Sequence, residues 1–240
     1  MLLLRQGGKF IDQRIKRHFF SAYLYVACGA LVFIIGSFFS SLAFGAIAGV
    51  VVAWGGLASF KESGNWSAGK QGELAVTKAL NVLSNEYILL NDLMLPDGKG
   101  NVDHLVIGPN GLFVIETKNY STFVRCYGDD WYVNKRKTHS LSKQAKRNAI
   151  AIKQSLTAVF AEQQARMPFV NALLVFVNGN GRLDINRPTI PVLRSSDLAN
   201  FIEKHNPGNA RSLTSPELTR AIVHHLQSLQ QRPDKLVTNS

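Results

Sequence analysis

At 240 residues the chain has room for one medium domain and further segments, and its net charge of +11 points to polyanionic partners, either nucleic acid or an anionic lipid surface. Its two cysteines, Cys28 and Cys126, exclude a disulfide-stapled scaffold and a cysteine-rich zinc site. The 46 % hydrophobic content is unevenly spread, and that unevenness divides the chain.

Residues 1–18 form a basic segment, with Arg5, Lys9, Arg14, Lys16 and Arg17 against Asp12. Phe10, Ile11 and Ile15 give it an amphipathic character suited to a membrane surface. From Phe19 to Phe60 there is no Asp, Glu, Lys or Arg. A single helix of that length would extend about 60 Å, roughly twice the hydrocarbon thickness, so a two-span transmembrane hairpin is predicted, over 19–36 and 42–60 with its turn near Ser37 to Ser41. A signal-peptide apolar region of about 7–15 residues is much shorter than this run. The basic N-terminal flank, with Lys61 and Lys70 after the second span, places both ends in the cytoplasm under the positive-inside rule. The expected location is therefore a membrane, specifically the bacterial inner membrane, with the remainder of the chain in the cytosol.

Residues 61–68 read as a linker, and 69–231 as a domain followed by a flexible tail at 232–240. Ser67 suits a helix N-cap, and Val76, Leu80 and Leu83 recur at helical spacing. Glu73 falls on that apolar stripe, where it either caps or pairs locally or reaches toward other carboxylates. A first strand is expected at Tyr87 to Leu90 and its neighbours.

The stretch Gly100 to Asn119, GNVDHLVIGPNGLFVIETKN, reads as a β-hairpin around the turn signal GPNG. If Gly108 to Gly111 form the loop, Ile107 pairs with Leu112, and the same register brings Asp103 opposite Glu116. Side chains alternate along a strand, so Lys118 shares the face of Glu116. Three charged groups on one apolar patch are costly unless something uses them. His104 points to the other face and reads as a packed histidine.

A second hairpin, Phe123 to Tyr127 and Trp131 to Val133 around GDD, is predicted to extend the same sheet. The basic tract Lys135, Arg136 and Lys137 runs into a helix carrying Lys143, Lys146, Arg147 and Lys153, with Leu141, Ala145, Ile152, Leu156 and Val159 as its apolar face and Gln144 at the border. Such a basic face is either merely solvated or a phosphate-binding surface. Phe169 to Val177 is a strand covered on both faces, 178–188 a loop, and Ile190 to Leu193 a short strand. Ser196 or Asp197 starts a helix to about Lys204, and Thr214 or Ser215 with Pro216 starts a last helix ending near Gln231.

Converging acidic oxygens, with no Cys or His set beside them, select a hard cation, Mg²⁺ or Mn²⁺. A dication relieves the mutual repulsion of the carboxylates while binding a phosphate oxygen and a water, and Lys118 suits orientation of that water or stabilisation of developing charge. Phosphodiester hydrolysis uses all these parts. The plainer alternative is an Asp103 to Lys118 ion pair with Glu116 at the sheet edge.

Gly72-Glu73, then VDHLVIGPNGLFVIETKN, then a helix with Gln144 resemble the NERD (nuclease-related) domain of the PD-(D/E)XK nuclease superfamily, over roughly Gly69 to Gln154. The resemblance implies an α/β fold, a mixed β-sheet flanked by helices as in restriction endonucleases. It also implies metal ligation by Asp103 and Glu116, a catalytic Lys118, the first-helix acid at Glu73 and a helical glutamine at Gln144. Val102 stands where the superfamily's name-giving Pro precedes the Asp. The leading expectation is a membrane-anchored, Mg²⁺- or Mn²⁺-dependent nuclease acting on DNA at the cytosolic face: Glu73, Asp103 and Glu116 hold the metal, Lys118 positions water, Gln144 orients substrate or a ligand, and Lys135, Arg136, Lys137, Lys143, Lys146 and Arg147 hold phosphates. The alternatives are a catalytically idle protein that tethers nucleic acid, and an interaction protein whose basic face meets lipid.

Overall fold

The computed structural model describes residues 2–3, 20, 23–28, 30–31, 34, 54, 67–95, 100–206, 213 and 215–230. The chain divides into two compact units, Gly8–Gln71 and a second made of Met1–Gly7 with Gly72–Ser240. In the first unit the described residues are helical. Most of the predicted spans 19–36 and 42–60, the 61–66 part of the linker and the 232–240 tail lie outside the described residues. Among the described residues no helix is long and apolar enough to cross a membrane.

The larger unit is a mixed α/β fold. A helix over residues 67–80 (α1) leads into β2 (Ile88–Met94), β3 (Asn101–Gly108) and β4 (Gly111–Lys118), which follow the short N-terminal strand β1 (Leu2–Leu3). Then come β5 (Val124–Tyr127), β6 (Asp130–Val133), β7 (Arg136–Thr138) and a long helix α2 (Leu141–Glu162). After them come β8 (Val170–Phe176), β9 (Leu183–Asn186), β10 (Val192–Arg194), α3 (Ser195–Lys204) and α4 (Pro216–Gln230). Among the described residues the main sheet has six strands in the order β1-β2-β3-β4-β8-β10. Strands β2, β3 and β4 run antiparallel to their neighbours in that group, while β4, β8 and β10 are parallel. The apolar run predicted as a doubly covered strand is β8, held between β4 and β10.

Alternation of side chains sends the sheet's residues into two cores. On one face Leu105, Ile107, Leu112 and Val114 meet Ala145, Ile152 and Leu156 of α2, with Leu218, Ile222 and Leu226 of α4 behind. On the other, Val106, Phe113 and Ile115 meet Val76 and Leu80 of α1 and Leu198 and Ile202 of α3. The helical spacing read in α1, α2 and α4 thus marks the faces that are buried.

Two expectations change. The second hairpin does not extend the main sheet: β5 and β6 belong to a separate four-stranded sheet, in the order β7-β6-β5-β9. Its fourth strand, β9, lies in the stretch predicted as a loop and pairs parallel with β5, Val124 with Leu183 through Tyr127 with Asn186. The stretch LDIN does alternate apolar and polar residues, with Leu183 and Ile185 turned toward the core, but it is only four residues long and set among Gly, Asn and Arg. Arg136 and Lys137 lie in strand β7 before the helix, whose N-cap is Ser140, accepting from the Lys143 backbone N–H at 3.3 Å.

His104 faces the α1 side and is fully buried, its Nδ1 2.7 Å from Asn91 Oδ1. Burial pushes its pKa down to about 3, so the folded protein keeps it neutral. Between the ordinary value near 6.5 and about 3 the unfolded chain binds a proton that the folded chain refuses, so stability rises with pH across this window. Acidification should therefore cost about 1.4 kcal/mol per pH unit through this one group, and His104→Leu should flatten that slope in urea unfolding curves taken between about pH 7 and 4. Parallel slopes for the two proteins would contradict the assignment.

Candidate active site

The predicted register holds: Ile107 pairs with Leu112, and the ladder runs on to His104 with Ile115. Beyond that pair the Asp103 side chain replaces a strand carbonyl, its Oδ2 accepting from the Thr117 backbone N–H at 2.7 Å. Asp103, Glu116 and Lys118 all face α2. Lys118 Nζ lies 2.6 Å from Glu116 Oε1, with the lysine side chain 14 % and the glutamate side chain 3 % exposed, so this ion pair is largely out of water.

Gln144, from the first turn of α2, donates from Nε2 to Glu116 Oε1 at 2.7 Å and accepts at Oε1 from Lys118 Nζ at 3.4 Å. One turn later Asn148 donates to Glu116 Oε2 at 3.2 Å and to the Asn101 carbonyl at 3.1 Å. Both carboxylate oxygens of Glu116 are thereby held from one helix, since positions four apart share a helix face. Sequence reasoning found Gln144 and missed Asn148, although the i, i+4 spacing of the two amides was a readable signal.

Glu73 arrives from α1. Gly72 permits the approach, because a Cβ there would stand 3.1 Å from Asn119 Cβ and 3.3 Å from Thr117 Cγ2. Glu73 is 8 % exposed and close enough for its charge to act on Asp103. Loss of water is the main cause holding the Asp103 pKa well above the ordinary carboxylate range, and the charges of Glu116 and Glu73 add to it. For Lys118, burial alone would lower the pKa, but Glu116 and Asp103 more than offset it and hold the ammonium above its ordinary range. Lys118 is accordingly a cation and a donor at neutral pH, not a base.

A further acid adjoins the site. Leu90 faces α2 and Leu89 faces α1, so strict alternation would send Leu93 to the α1 side, yet Leu93 packs with the α2 core. Asp92 carries the change of face, with φ +57 in the left-handed region that Asp tolerates better than most residues. The β2–β3 pairing skips it, passing from Asn91–His104 to Leu93–Val102. Asp92 is the register neighbour of Asp103, is 1 % exposed, and accepts from Asn101 Nδ2 at 2.8 Å. An irregular backbone beside the acidic pair is the kind of strain that collects at working sites.

Among the described residues no group of three or more His, Cys, Asp or Glu side chains stands in an arrangement that could hold a metal ion. The donor chemistry of the site nevertheless fits a hard cation. Asp103 and Glu116 offer carboxylate oxygens on adjacent strands, and the charges of Glu116 and Glu73, which add to burial in raising the Asp103 pKa, are ones that a cation would offset.

Residues 68–177 match the family model of the nuclease-related domain, NERD. That stretch, somewhat under half of the chain, is similar to the nuclease-related domain. The NERD match runs from the start of α1 to the end of β8 and contains every side chain of the site, including Asn148, so the resemblance read from the hairpin is borne out. No curated protein and no solved structure matches the chain.

The six basic residues expected to hold phosphates divide in two. Lys135, Arg136 and Lys137 are exposed at the β6–β7 turn, where Lys137 pairs with Asp130 at 2.8 Å. Lys143 and Arg147 are exposed on α2, while Lys146 pairs with Asp129 at 3.2 Å. The GDD turn thus neutralises part of the basic field. It also anchors the second sheet to α2. Asp129 accepts from Ser142 Oγ at 2.6 Å, which in turn accepts from the indole N–H of Trp131 at 3.0 Å. Ser142→Ala would leave a fully buried indole N–H without its acceptor and should lower unfolding free energy by about 1–3 kcal/mol in urea titration. A loss of only a few tenths would show that this relay does not hold the sheet.

Proposed function

We propose that this protein is a membrane-anchored, metal-dependent nuclease that hydrolyses phosphodiester bonds, in DNA, at the cytosolic face of the bacterial inner membrane. The observation that carries the proposal is the buried set on one sheet face: Asp103 beside Glu116, and Lys118 held charged against Glu116 within a nuclease-related domain. Asp103 and Glu116 are the residues that would hold Mg²⁺ or Mn²⁺, with Glu73, whose charge reaches Asp103, as a third carboxylate near them. When bound, the dication supplies Lewis-acid charge to a phosphoryl oxygen and lowers the pKa of a water. The Lys118 ammonium orients the attacking water and stabilises negative charge developing on the phosphorus oxygens. Gln144 and Asn148 fix the Glu116 carboxylate so that it need not reorganise during the reaction. Lys143 and Arg147, exposed on α2, hold the phosphate backbone without reading sequence.

Membrane anchoring is supported by the uncharged run from Phe19 to Phe60 and by the exposure of Tyr23, Leu24, Tyr25, Val26, Leu31 and Ile34 on helical residues. The basic flanks support a cytosolic domain.

One observation favours a second reading. The Lys118 ammonium already neutralises Glu116, as it would in an idle site that only tethers nucleic acid. Cleavage of supercoiled DNA, linear DNA and RNA by the detergent-solubilised full chain, in Mg²⁺, Mn²⁺ or EDTA, separates the two. Cutting that requires metal supports the nuclease. Binding with every substrate intact under all conditions supports the tether.

A further inference from the structure

On the flank of α2 away from the acidic site lies a groove of about 380 Å³, bounded by the start of β8 and the segment entering β10. At about 100° per residue, Lys146, Ile150 and Lys153 project from the side of the helix opposite Gln144 and Asn148. The floor is apolar, formed by Ala149, Val170, Ala172 and Ile190, and Phe169 and Ile150 stand at its mouth 76 % and 55 % exposed. Lys153 supplies an exposed cationic group on the wall, while Lys146 is held by Asp129 at 3.2 Å.

This combination selects a ligand with a flat apolar face and an attached anion. The volume is that of a small-ligand pocket, enough for one nucleotide-sized group. Within a duplex the bases are stacked against one another and cannot enter, whereas an unpaired strand can lay a base on an aromatic ring and its phosphate on a lysine. Around the helix, Lys143 and Arg147 occupy the exposed arc between the groove and Gln144, so a basic path joins groove and acidic site. The polar groups at the floor are engaged within the protein: Asn171 donates to the Leu112 carbonyl, and Thr189 donates to Asp129. Base identity would then not be read.

We infer that this groove is a binding site for one unpaired nucleotide, stacked on Phe169 with its phosphate at Lys153, so that the protein engages single-stranded nucleic acid across α2 from its acidic site. The inference rests on the nucleic-acid part of the function proposed above.

The test is fluorescence anisotropy on the full chain in detergent, with EDTA present to prevent cutting, using labelled oligothymidylate and a duplex of equal length. Wild type should prefer the single strand. Phe169→Ala should weaken that binding about tenfold, with duplex binding changed by less than about twofold, and Phe169→Trp should retain it because stacking needs only a π face. An unchanged single-strand affinity in Phe169→Ala, or an equal loss for both probes, overturns the inference. Short-chain phosphatidylglycerol is the competing probe. Displacement of the strand by this lipid from wild type but not from Phe169→Ala would make the groove a lipid site and overturn the inference as well. The two proposals fail separately, because strand binding is read without metal and cleavage is read with it.

Discussion

Lys118→Ala should reduce metal-dependent cleavage of DNA by about a hundred- to a thousandfold, the usual effect of deleting one preorganised group that stabilises transition-state charge. The side chain is 14 % exposed and 2.6 Å from Glu116, and its neighbours keep it protonated, so no water can replace its fixed positive charge at the site. Lys118→Arg should not restore the rate, because a planar guanidinium cannot occupy the point position of an ammonium between Glu116 and Gln144. Binding of DNA in EDTA should change by less than about twofold, since the backbone is held elsewhere by Lys143 and Arg147. Equal cleavage by wild type and Lys118→Ala would move the chemistry away from this hairpin. The acidic cluster would then be structural.

Asp103→Asn should have two opposite effects: loss of cleavage and a gain in stability. In the folded protein the Asp103 carboxyl is deprived of water and crowded by Glu116 and Glu73, which raises its pKa above that of the unfolded chain. Between the unfolded value near 3.9 and the raised folded value, the folded state binds more protons, so this group withdraws stability as pH rises through the window. Asparagine removes the charge and keeps an oxygen for the Thr117 N–H. At neutral pH in EDTA the variant should be more stable by about 1 kcal/mol, the ordinary gain on relieving a strained functional site, seen as a rise in Tm. The gain should vanish below about pH 4, where the wild-type carboxyl is neutral in both states. A variant less stable than wild type at neutral pH would mean that the carboxylate earns its place structurally through the Thr117 contact.

The acidic hairpin was legible because everything that fixes it is local. GPNG sets the loop, the loop sets the register, and the two-residue period of a strand then assigns Asp103, Glu116 and Lys118 to one face. Gln144 was reachable from the helical period and the family resemblance. The second hairpin was legible as a hairpin but not as part of a separate sheet, because the edge a strand pairs with depends on residues far away in sequence. Its partner β9 is a four-residue alternation, LDIN, too short to stand out from the Gly- and Asn-rich residues before it, and it pairs with β5. Asp92 stayed hidden for a related reason: one residue with φ +57 reverses the alternation on which the strand reading relies. The sequence by itself determined the turn, the register, the amphipathic helix faces and the charged trio, all consequences of backbone periodicity. Only the tertiary structure decided that α2 grips both oxygens of Glu116 through Gln144 and Asn148, that Gly72 lets α1 bring Glu73 in, and that the far flank of α2 is a groove. Those features arise where elements distant in sequence pack together, and no local period encodes that meeting.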